Sequence, residues 1–152
     1  SSAASDVYKR QQGTLSGNEK QSADVQTWGQ TAGYCDYLLP QLYFGFQNST
    51  APFAETAAFW AEQVTCPDVL LWIGICTYKI GQQDTWAGDG MTEWQTDSQV
   101  VSKELELLCN MDGIDGAAIY DYASTFQPES SVSEILSSER DAIQVLLQTP
   151  AN

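Results

Sequence analysis

The chain has no histidine among its 152 residues, and only 6 lysines and arginines stand against 20 aspartates and glutamates. Without histidine, Ser-His and Cys-His nucleophile pairs cannot form within the chain, and the commonest metal ligand is missing. Any chemistry must therefore rest on carboxylates, tyrosine, lysine or glutamine. The net charge of -14 repels phosphate backbones and anionic lipid surfaces, which argues against nucleic acid as a partner. The four cysteines, Cys35, Cys66, Cys76 and Cys109, are scattered and contain no Cys-x-x-Cys pair. They read as small buried residues, and neither a metal site nor a cofactor is expected. No apolar run is long enough to span a bilayer.

What is present is enough apolar residue, 43% of the chain, to build a core, arranged in alternating strand and helix patterns. The run Tyr37 to Leu42 is too apolar for a half-exposed antiparallel strand and suits a parallel strand covered on both faces. Period-two geometry puts Tyr37, Leu39, Gln41 and Tyr43 on one side and Leu38, Pro40 and Leu42 on the other. A helix is expected from about Pro52 to Val64, capped by Thr50, with Phe53, Ala57, Trp60, Ala61 and Val64 on its buried face. Val69 to Cys76 is a second buried strand. A long loop, Ile80 to Thr96, follows; its acids Asp84, Asp89 and Glu93 read as solvated, and Trp86 and Trp94 sit where a lid or stacking platform would lie. Asp97 or Ser98 then caps a helix to about Met111 with Val100, Val101, Leu105, Leu108 and Cys109 inward. Ile114 to Tyr120 is a third strand, and Val132 to Leu147 a last helix carrying Ile135, Leu136, Ile143, Val145, Leu146 and Leu147. Near the strand starts, Asp36 and Asp115 read as turn or cap residues.

Strands alternating with helices imply right-handed crossovers and a parallel sheet, so the fold class is α/β. In such a sheet all strand ends of one sense lie together. That places Gln41 with Tyr43, Tyr78 with Lys79, and Tyr120 with Asp121 around one cleft. Aromatic faces stack on sugar rings and amide, ammonium and carboxylate groups bond hydroxyls, so the inventory suits a polyhydroxylated ligand. Gln41, Tyr43, Tyr78, Lys79, Trp94 and Tyr120 are the candidate substrate-binding residues. Asp121 is the one acid at the end of a strand and hence the candidate catalytic group.

Four pieces carry a family resemblance: Pro40-Gln41-Leu42-Tyr43-Phe44-Gly45-Phe46; Ala51-Pro52-Phe53; Leu71-Trp72-Ile73-Gly74-Ile75 with Tyr78-Lys79; and Asp115-Gly116 with Tyr120-Asp121-Tyr122. Together, in order from about Gly13 to Gln148, they resemble the family-10-like glycosyl hydrolases of bacteria. The resemblance implies a (β/α)8 TIM barrel, an activity on glycans such as peptidoglycan strands, and an extracellular or cell-envelope location. Such a barrel takes roughly 250 residues. Residues 13–152 are therefore expected to be its C-terminal half, three parallel strands alternating with helices. The resemblance also places an acid-rich motif on an earlier strand, and a small hydroxyl residue where Asp121 stands. The expected function is thus a portion of a glycoside hydrolase whose main acids lie outside this chain, inactive alone and able to self-associate through its open sides. The alternatives are a non-catalytic glycan- or cell-wall-binding barrel, or a barrel in which Lys79 forms a Schiff base.

Residues 1–12 are a separate matter. Asp6 to Gln11 is what a common transposon-based sequencing adapter encodes, so 1–12 are expected to be an adapter-derived or disordered tail in a metagenomic sequence. Deleting Ser1 to Gln11 should leave the thermal midpoint unchanged. A clear loss of stability in that truncated chain would show that these residues belong to the fold.

Overall fold

The computed structural model describes residues 24–127 and 131–148, so the adapter-like segment 1–12 lies outside the described residues. Three strands, β1 (Tyr37–Leu38), β2 (Leu70–Cys76) and β3 (Gly116–Tyr120), form one sheet in the order β1-β2-β3. Both pairings are parallel, with Leu38 opposite Leu71, Ile73 opposite Ala117 and Cys76 opposite Tyr120. The helices are α1 (Val25–Gln30), α2 (Phe53–Gln63), α3 (Glu93–Thr96), α4 (Val100–Cys109), α5 (Tyr122–Phe126) and α6 (Ser133–Gln148). Three parallel strands joined through helices are consistent with part of an α/β barrel, as the alternation predicted.

The alternation of exposure along the strands separates two faces. Leu42, Leu71, Ile73 and Ile75 are buried and join Phe53 and Ala57 of α2 and Val100, Val101 and Leu108 of α4 in one core. On the other face Tyr37, Leu39, Leu70 and Trp72 are exposed, the period-two division expected of the first strand. The ring of Trp72 lies over Gly116, its partner on β3, where any Cβ would press on the indole. β1 is shorter than its apolar run because Pro40 has no N–H to give. Pairing nevertheless resumes beyond it: Gly74 donates to the Pro40 carbonyl and Leu42 donates to that of Gly74, both at 2.8 Å.

One helix start is capped from a distance. No side chain of its own caps α4; instead the Glu139 carboxylate on α6 accepts from the backbone N–H groups of Val101 and Ser102, each at 2.9 Å. A carboxylate there meets orphan donors and the positive end of the helix dipole together. Asp97, expected as the cap, accepts from Gln99 instead. Likewise Asn48, not Thr50, takes the N–H groups of Thr50 and Ala51 ahead of α2. Asp115 does behave as a strand-start clamp, accepting from Leu71 N at 2.8 Å. Among the cysteines the expectation of burial holds for Cys66 and Cys76, but Cys109 is exposed at the end of α4 and Cys35 half-buried. Val145 of α6 is also exposed, because α6 packs chiefly on α4 and its far side faces away.

Glu104, on α4, is 0% exposed and both its carboxyl oxygens lack a partner among the described residues. Burial, then the neighbouring Glu139 and Glu93 carboxylates, push its pKa well above the usual glutamate range. Glu93 and Glu139 are pushed up as well, again first by burial. A raised folded-state pKa means that the native protein holds the proton more tightly than the unfolded chain. Stability is then fullest below the ordinary value of 4.5 and is lost as pH rises toward the folded value. Every pH unit climbed in that window costs about 1.4 kcal/mol for one such group. Glu104→Gln should therefore flatten the loss of stability between pH 5 and pH 8 and leave the protein more stable than wild type at the upper end. Urea melts across that range test this, and a pH profile parallel to wild type would refute it.

Candidate functional site

The sheet's C-terminal end is built from three segments that leave it in register. β1 runs on through its Gln41–Gly74 bridge to Tyr43, β2 to Thr77, Tyr78 and Lys79, and β3 to Tyr120 and Asp121. Because the strands are parallel, three tyrosines distant in sequence meet. The ring centroids of Tyr43 and Tyr120 are 5.9 Å apart in a stacked arrangement, with Tyr78 edge-on to both, at 5.9 Å from Tyr43 and 6.1 Å from Tyr120. These are favoured offset and edge-to-face geometries. Burial first, then neighbouring groups, raise the pKa of Tyr43 and Tyr78. Both phenols therefore stay neutral at physiological pH, suited to hydrogen-bonding a hydroxyl and unsuited to attack. Gln41 is exposed on the same sheet face.

Lys79 does not stand open in the cleft. Its Nζ donates to the Tyr43 carbonyl and to Asp84 Oδ2, both at 2.7 Å. With its Nζ engaged by these two oxygens, Lys79 lends the Schiff-base alternative no support. What Lys79 does is tie the end of β1 to the loop after β2. Asp84, read as solvated, is buried, because its side chain is the counter-ion of that lysine and also accepts from Trp86 N. Glu93 corrects the same reading. Its carboxylate accepts from Phe46 N at 3.0 Å and Gln47 N at 2.9 Å, and thus holds the segment after Tyr43. A Cβ at position 45 would collide with that carboxylate, which is why the position is glycine.

Trp94 is a correction. It is 1% exposed, packed in the core with Leu42 and Phe53, and so holds the loop down rather than offering a face to ligand. The expected loop is itself partly ordered, into a 3-10 turn (Gly88–Gly90) and α3. The other tryptophan of that loop, Trp86, is 87% exposed.

Asp121 is the N-cap of α5, in a capping box. Its Oδ1 accepts from Ser124 N and Ser124 Oγ, each at 2.8 Å, while Asp121 N donates back to Ser124 Oγ. These hydrogen bonds hold its pKa below the usual range. Such a carboxylate is ionised and occupied, the opposite of the raised acid that protonates a leaving group. Beside it, Thr77 Oγ1 lies 2.7 Å from Ser124 Oγ and 2.8 Å from Thr125 Oγ1. A cavity of about 250 Å³ opens here, lined among others by Thr77, Tyr78, Gln82, Ser124 and Gln127. Thr77 and Ser124 were missed in the sequence, although Asp121-x-x-Ser124 has capping-box spacing. Cys76, buried beneath, has its thiol pKa pushed up to about 12 and is inert.

Comparison with known proteins points to one family. The profile described as glycosyl hydrolase-like 10 matches residues 8–88. The chain is 31% identical over 119 residues to proteins named "Glycosyl hydrolase DigH" from Escherichia coli K12 and O6:H1 and from Shigella flexneri. The aligned region covers 76% of this chain and 26% of each of those proteins, so the chain spans about a quarter of the length of these relatives. Among the described residues no helix is long and apolar enough to cross a membrane.

If Lys79 positions Tyr43 as the geometry indicates, Lys79→Met should lower stability by about 2 kcal/mol or more, leaving Asp84 buried without its counter-ion. It should also diminish the tyrosine near-ultraviolet circular dichroism in the still-folded protein. A variant with unchanged melting and an unchanged tyrosine signal would show that the ammonium holds nothing.

Proposed function

This chain belongs to the glycosyl hydrolase-like 10 family, and from that membership we propose that it supplies one wall of a glycan cleft in a glycoside hydrolase, with proton transfer done by acids elsewhere in the protein. The observation that carries the reading is the tyrosine cluster: three phenol rings packed on one another at the ends of three adjacent strands. Their ring faces match the C–H faces of a sugar, and their hydroxyls, with the Gln41 amide, match its hydroxyl groups. Glycoside hydrolysis needs a protonated acid and a second carboxylate at about 5 to 9.5 Å. Among the described residues the acids with raised pKa, Glu93, Glu104 and Glu139, are buried, and Glu93 and Glu139 are engaged by backbone N–H groups. Asp121 is lowered and capping. The wall therefore binds.

The glycan strands of peptidoglycan, met at the cell envelope or outside the cell, are the substrate this reading favours. A non-catalytic glycan-binding barrel is the second reading, favoured by the same lack of an available acid. Hydrolysis of bacterial cell-wall glycan by the whole protein separates them. Tyr43→Phe and Tyr78→Ala should each weaken substrate or transition-state binding by about 1–3 kcal/mol, whereas Asp121→Asn should leave turnover near wild type. Glycan binding without any turnover in the wild type would select the second reading. Turnover abolished by Asp121→Asn alone, with binding intact, would make Asp121 the catalytic carboxylate and overturn the assignment.

A further inference from the structure

We propose that Trp86 is a stacking platform for a sugar ring at the mouth of this cleft, an assignment that rests on the glycan reading above. The first observation is a contrast between neighbours. Trp86 is 87% exposed while Ala87, the next residue, is 1% exposed. An indole is among the costliest groups to leave in water, and a mobile loop would let it fold back on the protein.

This loop is held too firmly for that. The Ala87 carbonyl accepts from Ser49 N at 3.0 Å and from Ser49 Oγ at 3.3 Å, while Ala87 N donates to the Asp84 carbonyl at 3.0 Å. Asp84 N donates to the Met91 carbonyl at 2.9 Å, closing the base of the loop. Gly88 adopts a φ of +61° and lies so close to Ser49 that any side chain would collide with it. The backbone on either side of Trp86 is thereby fixed while its ring is directed outward.

The second observation ties the backbone that carries this ring to the tyrosines. Trp86 N donates to Asp84 Oδ1 at 3.2 Å, and Asp84 Oδ2 binds the Lys79 ammonium that in turn holds the Tyr43 carbonyl. One carboxylate and one ammonium thus set the platform relative to the cluster, on the loop that leaves the C-terminal end of β2. A rigid aromatic loses little conformational entropy on contact, which suits a weakly polar, flat-faced ligand. The net charge of -14 favours a neutral ring over an anionic one. A neutral hexose or N-acetylhexosamine ring is the ligand class.

The test uses the whole protein and glycan strands released from bacterial peptidoglycan. Oxidative footprinting should modify Trp86 in the free protein and show protection when strands are added. Calorimetric titration should show Trp86→Ala binding roughly tenfold more weakly and Trp86→Phe within about threefold of wild type, with unchanged melting midpoints. A Trp86 resistant to oxidation without glycan would mean that a protein segment covers it, which overturns the proposal. So would unchanged affinity in Trp86→Ala where Tyr78→Ala binds more weakly, and that result would leave the glycan reading standing. Wild-type protein that binds no strand would overturn both.

Discussion

The Lys79 ammonium is the constraint on which the candidate site depends. It is one cation reaching two oxygens at 2.7 Å, one on the backbone of the first strand's extension and one on Asp84 in the loop after the second strand. Both groups are largely out of water, with 20% and 4% of their side chains accessible. A cation in that position is tolerable only because the carboxylate and the carbonyl replace its hydration, and removing either partner leaves the other costly. The pair therefore adds less to net stability than to uniqueness of arrangement: Tyr43 has one place, and the loop has one place relative to Tyr43.

Carboxylates repeat this role elsewhere. Glu93 gathers the N–H groups of Phe46 and Gln47, and Glu139 those of Val101 and Ser102. In each case a side chain from one element satisfies the backbone of another, so elements far apart in sequence are set by hydrogen bonds as well as by apolar packing. Glu104 has no such partner among the described residues, and burial beside these two acids pushes its pKa well above the usual glutamate range. The acidity of the chain is thus divided. Some of its carboxylates are internal braces, and only the rest give the surface its negative field.

The strands, the two faces of the first and the helices α2, α4 and α6 were legible because they follow from period and burial, which are local properties of sequence; the exposure of Leu70 and Trp72 on the second was not. The meeting of Tyr43, Tyr78 and Tyr120 was legible for a related reason, since parallel strands bring their ends together whatever the intervening loops contain. The role of the loop acids was not. Asp84 and Glu93 sit among polar residues and glycines, and nothing adjacent in sequence says that one meets a lysine and the other two N–H groups of a distant loop. Trp94 was misassigned for the same reason: it and Trp86 have similar neighbours in sequence, and only the tertiary anchoring of the loop decides which is buried. α5 was missed because five residues give no period, although its capping box was written out in Asp121 and Ser124.

The capping box also bears on how labour is divided across the fold. A carboxylate that caps a helix is stabilised as an anion by nearby N–H and O–H groups, and the same bonds lower its basicity. Capping and proton transfer therefore make opposing demands on one group. At Asp121, where the strand end must hold the turn into α5, the acid is consumed by structure. The tyrosines escape this conflict. The raised pKa values of Tyr43 and Tyr78 keep their phenols neutral while their rings pack, so they shape the end of the sheet without giving up a proton.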